Sequence, residues 1–183
     1  MNTPNKLTVA RMIMVPFFVL FILTGWGGEA NRYICLVIFA AASITDWFDG
    51  KLARKYNLVT NFGKFMDPLA DKLLVCSALV CFVADASNPM PVWGVIIIIS
   101  RDFIISGFRL VASDAGVVIA ASWWGKIKTV VQMLMSVLLI LNFSGTVIDI
   151  VEYVFIYAAI ILTVVSLIDY LYKNWKVLDD GNM

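Results

Sequence analysis

The stretch T-D-W-F-D-G-K-L-A-R-K-Y-N-L-V-T-N-F-G-K-F-M-D-P-L-A-D-K runs from Thr45 to Lys72 and lies between long apolar segments. It contains four aspartates: Asp46, Asp49, Asp67 and Asp71. An ionised aspartate near the middle of a membrane-spanning helix costs about 2.5–3.5 kcal/mol. Several carboxylates close together also repel one another. The stretch therefore needs positive partners, and divalent cations are the best candidates.

Composition places the chain among membrane proteins. Of its 183 residues, 61% are hydrophobic, the mean hydropathy is +0.89 and histidine is absent. A soluble domain is about half apolar. The net charge of +1 argues against a nucleic-acid partner, because nucleic-acid-binding domains are usually strongly basic. The three cysteines form neither a disulfide framework nor a zinc-ligand spacing.

Six apolar segments are long enough to cross a bilayer, which needs about 20 residues for each helix. The predicted fold is therefore an all-α membrane bundle of six transmembrane helices in one domain, residues 1–183. The predicted spans are 7–25, 32–53, 65–86, 91–113, 124–143 and 148–172.

Basic residues orient this bundle. They gather at the N-terminus, around the second and fourth connections and at the C-terminus, whereas the other side carries only Arg32, beside Glu29. Positively charged loops stay in the cytoplasm. The pattern predicts a multi-pass protein of the cell membrane with both termini and the aspartate-rich stretch on the cytoplasmic side.

Helical geometry places the aspartates on two stripes. Asp46, Asp49, Gly50 and Ala53 follow the spacing i, i+3, i+4, i+7, and Gly63, Asp67 and Asp71 follow i, i+4, i+8. A short polar connection makes the two helices antiparallel neighbours, so the stripes can face each other. Carboxylates alone suit hard cations, and four of them can hold two Mg²⁺ or Mn²⁺ ions.

Ion pairing is the alternative explanation for these carboxylates. Lys51, Arg54, Lys64 and Lys72 are near enough in sequence to pair with them. Small residues on a helix face are also common packing devices in membranes. The regular spacing of four aspartates, with glycine on both stripes, favours the metal site.

The stretch also resembles a known family. Its pattern D-x-x-D-G-x-x-A-R, eight residues, then G-x-x-x-D-x-x-x-D is similar to the motif of the CDP-alcohol phosphatidyltransferases at all eight fixed positions. Those positions are Asp46, Asp49, Gly50, Ala53, Arg54, Gly63, Asp67 and Asp71. Two more regions resemble the family members that use glycerol 3-phosphate: P-N-K-L-T-V-A-R from Pro4, and the stretch from Arg101 through G-K-I-K-T-V-V-Q-M.

The resemblance implies a reaction and roles for these residues. It implies transfer of a phosphatidyl group from CDP-diacylglycerol to glycerol 3-phosphate, giving phosphatidylglycerophosphate and CMP. Two divalent ions on the four aspartates would grip the diphosphate, with Asp71 as the general base. The implied CDP-binding residues are Gly50, Ala53, Arg54, Thr60 and Gly63.

The acceptor site rests on weaker signals. Arg101 and Arg109 are eight residues apart, or about 80° around a helix. With Lys126, Lys128, Thr8 and Arg11 they are candidates to enclose an anionic head group, because arginine binds phosphate oxygens bidentately. The alternatives are charges that extend to lipid phosphates and a local Arg101–Asp102 ion pair.

Other functions stay open at this point. The same chemistry on an inositol phosphate, serine or a second phosphatidylglycerol is the nearest alternative. A divalent-cation transporter also carries membrane carboxylates, but it should have acidic residues across the whole membrane, and here the acids stop at one end. Gly94 and Gly107 are candidates for close helix packing or for a homodimer face.

Overall fold

The computed structural model describes residues 3–55, 61–114, 119 and 122–179, and the side chains of residues 7–45, 66, 69–70, 72–113, 119 and 122–174. Across these ranges the chain is helical and has no β-strand. A 3-10 turn, Gly28–Ala30, connects the first two helices. The helices are α1 (Thr3–Thr24), α2 (Asn31–Lys55), α3 (Asn61–Ala84), α4 (Val92–Asp114), α5 (Trp123–Leu141) and α6 (Thr146–Asp179).

Each of the six predicted segments coincides with one helix, although the ends differ. α3 begins at Asn61, four residues before the predicted start, and α6 continues to Asp179, beyond the predicted end at 172. The apolar run marks the part of a helix that suits lipid, whereas the backbone hydrogen bonds continue into polar sequence. The sequence predicts a short connection between α2 and α3. Residues 56–60, which lie between these helices, are outside the described residues.

Two helices end in a left-handed residue. Gly25 has φ +66° and donates its N–H to the carbonyl of Phe21, which closes the last turn of α1. Asn142 has φ +44° directly after α5. Glycine and asparagine are the residues that most readily adopt this conformation after a helix.

The contacts divide the chain into two units. The first comprises Met1–Asn88 with Ile140–Asn142, and the second comprises Pro89–Leu139 with Phe143–Met183. In the first unit α1 packs against both α2 and α3, which also contact each other, and the Phe18 and Phe39 rings lie 5.9 Å apart. In the second unit α4 packs against α6.

Three helices are long and apolar enough to cross a membrane: Leu7–Thr24 in α1, Trp123–Leu141 in α5 and Thr146–Asn174 in α6. The apolar part of α3, Lys72–Ala84, is shorter. Large aliphatic side chains on the helices are exposed, including those of Val37, Ile96, Ile161 and Ile168. Lipid tails are as apolar as these side chains, so burying them inside a membrane protein gives no hydrophobic gain. The architecture is thus that of a helical membrane protein, while the count of six spans remains a prediction.

Arg32 binds backbone carbonyls at the end of α5 and so stabilises this helix end. One of its guanidinium nitrogens donates to the carbonyls of Leu141 at 3.0 Å and Asn142 at 2.7 Å. The Asn142 amide lies 2.7 Å from the Ser87 hydroxyl, which donates to Asp85 at 2.7 Å. With its oxygen turned toward Arg32, the amide also accepts from both terminal guanidinium nitrogens. Arg32 therefore satisfies carbonyls that a helix end leaves without partners.

We expect Arg32→Ala to lower the free energy of unfolding by about 2 kcal/mol, since carbonyl acceptors lose charged donors. Equilibrium unfolding in mixed detergent micelles, followed by circular dichroism, measures the change. Glu29→Ala is the control, because Glu29 is exposed in the neighbouring turn. Equal effects of the two substitutions would contradict this role.

Gly94 and Gly107 differ in their surroundings although both lie on α4. A Cβ atom at position 94 would lie 2.6 Å from Ile160 Cδ1 on α6 and 3.2 Å from Pro91 Cγ. A Cβ atom at position 107 would meet no heavy atom within 4 Å. Gly94 therefore allows the close approach of α4 and α6, as predicted, whereas Gly107 takes no part in a close contact among the described residues.

The same substitution should have opposite effects at these two glycines. Gly94→Leu should destabilise the protein by about 1–3 kcal/mol through overpacking. Gly107→Leu should be neutral or stabilising by up to about 1 kcal/mol, because leucine favours a helix more than glycine does. Thermal unfolding in detergent measures both. A similar loss at position 107 would contradict this and indicate that another chain covers it.

Candidate functional site

The aspartate stripes lie on neighbouring helices. α2 includes Asp46 and Asp49, and α3 includes Asp67 and Asp71. The helical backbone keeps the predicted spacing, so each pair lies on one face of its helix. Because α2 and α3 contact each other and share α1 as a neighbour, the fold suits a site that draws ligands from both helices. The side chains of these aspartates lie outside the described side chains.

The side chains of the predicted CDP-binding residues also lie outside the described side chains. Gly50, Ala53 and Arg54 lie on α2 and Gly63 lies on α3, all without a described side-chain environment. Thr60 lies outside the described residues altogether. The donor set of four carboxylates on two touching helices fits a pair of hard divalent cations. The metal ligands and CDP contacts nevertheless stay predictions.

Thr8 and Arg11 are buried on α1. Their exposed fractions are 0% and 1%, and both make interactions with neighbouring groups. Their i, i+3 spacing places them on one face of the helix. A guanidinium group is rarely buried unless it is paired or binds a ligand. Such burial does not fit a side chain that extends to lipid phosphates, so Arg11 belongs to the interior of the first unit.

A charged cluster lies inside the second unit, centred on Asp102. Lys128 donates to both carboxylate oxygens of Asp102, at 2.6 and 2.8 Å, and Arg101 donates to one of them at 3.0 Å. The Lys128 side chain is 2% exposed. Two cations share one carboxylate, so the three side chains carry a net charge of +1. The predicted Arg101–Asp102 pair is therefore present, and Lys128 extends it into a cluster of three charged side chains.

The Arg101 guanidinium is fixed on two sides. Its Nε donates to the hydroxyl of Ser166 on α6 at 3.1 Å, and Ser166 donates onward to the carbonyl of Thr163 at 3.0 Å. On the other side, Nη2 would be 3.2 Å from a Cβ atom at Gly125, in the first turn of α5. Glycine at this position leaves room for the guanidinium beside the N-terminus of α5. Nη2 has no hydrogen bond to a described residue, so it is free to bind an anion.

The other two predicted basic residues are not part of this cluster. Arg109 and Lys126 are exposed in the second unit. Sequence reasoning paired Arg101 with Asp102 but missed that Asp102 also binds Lys128, and it missed Ser166. No local pattern marks Ser166, since its role depends on how α6 packs against α4.

Comparison with known proteins assigns the family. The model of the family described as CDP-alcohol phosphatidyltransferase matches residues 1–165. The chain therefore belongs to the CDP-alcohol phosphatidyltransferases and is an enzyme. This family is generally dependent on divalent metal ions, which agrees with the carboxylate stripes.

Several curated relatives are similar over nearly their whole length. The chain is 43% identical to the CDP-diacylglycerol–glycerol-3-phosphate 3-phosphatidyltransferase of Bacillus subtilis, covering 99% of each chain. It is 41% identical to the protein of the same name from Haemophilus influenzae, covering 93% of this chain and 91% of the relative. It is 42% identical to the probable phosphatidylglycerophosphate synthase of Mycobacterium tuberculosis, covering 92% and 79%.

Asp102→Asn should lower the free energy of unfolding by about 3 kcal/mol, because it removes the carboxylate from a buried ion pair. Asp169→Asn is a matched control: its carboxylate is 17% exposed, like that of Asp102, but its partner Lys173 is 59% exposed. An exposed pair contributes at most about 1 kcal/mol. Unfolding in detergent by circular dichroism compares the two, and equal losses would contradict the buried role of Asp102.

Proposed function

We propose that this enzyme transfers the phosphatidyl group of CDP-diacylglycerol to glycerol 3-phosphate, releasing CMP and forming phosphatidylglycerophosphate. The observation that carries the proposal is full-length similarity to curated relatives named for this reaction, together with the intact aspartate motif. The buried cationic cluster adds support, because the acceptor is a phosphorylated alcohol.

Asp46, Asp49, Asp67 and Asp71 would hold two Mg²⁺ or Mn²⁺ ions. When bound, such ions neutralise phosphoryl oxygens and stabilise the leaving phosphate. Gly50, Ala53 and Gly63 would leave space for the CDP group on α2 and α3, Arg54 would donate to it, and Thr60 would complete this surface. The lipid tails would stay in the bilayer.

Asp71 would act as the general base. The chain has no histidine, and a carboxylate of the aspartate motif is well suited to accept the proton of the acceptor hydroxyl. The hydroxyl oxygen then attacks the phosphorus of the phosphatidyl group, and the bond from phosphorus to the CMP oxygen breaks. Direct displacement suits a motif that contains no obvious protein nucleophile.

The acceptor phosphate would bind to basic residues. Arg101 is the strongest candidate, because Ser166 and Asp102 fix its guanidinium and Nη2 has no described partner. Lys128 contributes charge to the same cluster. Arg109 and Lys126 would contribute from exposed positions. Thr8 and Arg11, which are buried in the first unit, stay candidates from the sequence alone.

We also propose the membrane arrangement that the charges predict. Six spans would place both termini and the aspartate motif on the cytoplasmic side of the cell membrane, where soluble glycerol 3-phosphate is available. A homodimer is compatible with the open surface at Gly107. Bilayer lipids would surround the exposed aliphatic side chains.

Purified protein in detergent should release CMP from CDP-diacylglycerol in a manner that depends on glycerol 3-phosphate and is abolished by EDTA. Asp71→Asn should lower kcat by about 10²–10⁴-fold, the usual contribution of a general base. Asp149→Asn is the control, since Asp149 is exposed in the first turn of α6.

Competing acceptors make the test specific. Preferred transfer to serine, an inositol phosphate or phosphatidylglycerol would keep the chemistry and overturn the acceptor. No transfer to any acceptor by folded protein would overturn the proposed reaction itself.

A further inference from the structure

Tyr170 on α6 has a buried hydroxyl to which the proposed reaction assigns no role. The residue is 3% exposed, and its hydroxyl makes no hydrogen bond to any described residue. A buried tyrosine hydroxyl normally has a hydrogen-bond partner. Desolvating a hydroxyl without one is unfavourable, so a phenylalanine would pack better here if packing were the only role.

The ring of Tyr170 is held in a defined orientation. It packs edge-on against Phe108 of α4, with ring centroids 5.7 Å apart and an interplanar angle of 84°. Ser166 lies one helical turn earlier on the same face of α6 and binds Arg101. The hydroxyl is therefore on the face of α6 that holds the cationic cluster.

The charges around the hydroxyl identify its missing partner. The positive charges of Arg109 and Arg101 both act on Tyr170. Guanidinium groups only donate hydrogen bonds, so they cannot accept the phenolic proton. The Asp102 carboxylate is already shared by Lys128 and Arg101, and Asp169 is the preceding residue on α6, about 100° around the helix. An oxygen acceptor with negative charge would satisfy the hydroxyl and would also be attracted by the two arginines.

We propose that the Tyr170 hydroxyl donates a hydrogen bond to a phosphate oxygen of the acceptor substrate, beside the free Nη2 of Arg101. This inference rests on the proposed function and adds a specificity-determining residue to it. A neutral donor helps recognise the phosphate without adding another charge beside Arg101. Ser166 and Asp102 are positioning residues, because they act on the substrate only through Arg101.

Tyr170→Phe tests the proposal, since the substitution removes one oxygen and keeps the contact with Phe108. A hydrogen bond to a charged partner corresponds to at least about a tenfold change in affinity. The KM for glycerol 3-phosphate should rise by about tenfold or more, while the KM for CDP-diacylglycerol stays unchanged. The melting temperature of the substrate-free protein should be unchanged or higher, because the substitution removes a buried hydroxyl that has no partner. The inhibition constant of inorganic phosphate, used as a competitive inhibitor, should rise by the same factor.

Tyr172→Phe is the matched control, because Tyr172 lies two residues further on the same helix and is 84% exposed. This control should change neither KM nor inhibition by phosphate. An unchanged KM for glycerol 3-phosphate in Tyr170→Phe would overturn the inference, and so would a parallel rise in both KM values with a lower melting temperature.

The wild-type enzyme separates this inference from the proposed function. Wild-type protein that transfers nothing to glycerol 3-phosphate would overturn the proposed function, and the inference with it. Wild-type transfer combined with an unaffected Tyr170→Phe variant would overturn the inference alone.

Discussion

Charge buried among apolar helices constrains the packing of the second unit. Lys128 is almost inaccessible, yet Asp102 accepts from its ammonium group through both carboxylate oxygens. Removing such a cation from water is tolerated only where a counter-charge and hydrogen bonds replace the solvent. The partners come from α4 and α5, so the ion pair connects these two helices within the second unit.

This constraint gives the interior charges a functional meaning. One carboxylate accepts hydrogen bonds from two cations, Lys128 and Arg101. Ser166 orients the guanidinium of Arg101 and leaves its outer nitrogen available. A site that is fixed before the substrate arrives loses little conformational entropy on binding. The side chains that connect the helices are therefore the same ones that we propose for binding the acceptor phosphate.

Helix packing explains two features that sequence patterns do not explain. Arg32 breaks the positive-inside pattern because the carbonyls at the end of α5 need a donor, and α2 places the guanidinium there. Gly94 lets α4 approach α6 until Ile160 occupies the space of its missing side chain. Gly107 has the same residue type on the same helix but no such neighbour, so residue type alone does not identify a close contact.

The family, the helical class and the six segments could be predicted from the amino-acid sequence, because the aspartate spacing and the apolar runs are local patterns. The sequence also identified Arg101 and Lys128 as candidates for anion binding. The packing of the helices was needed to show that Asp102 joins these two residues, that Arg109 and Lys126 are exposed, and that Ser166 binds Arg101. The physical reason is that a charge finds its partner on another helix, 26 residues away for Lys128 and 65 for Ser166. Helical periodicity specifies the face of each helix but not which faces meet.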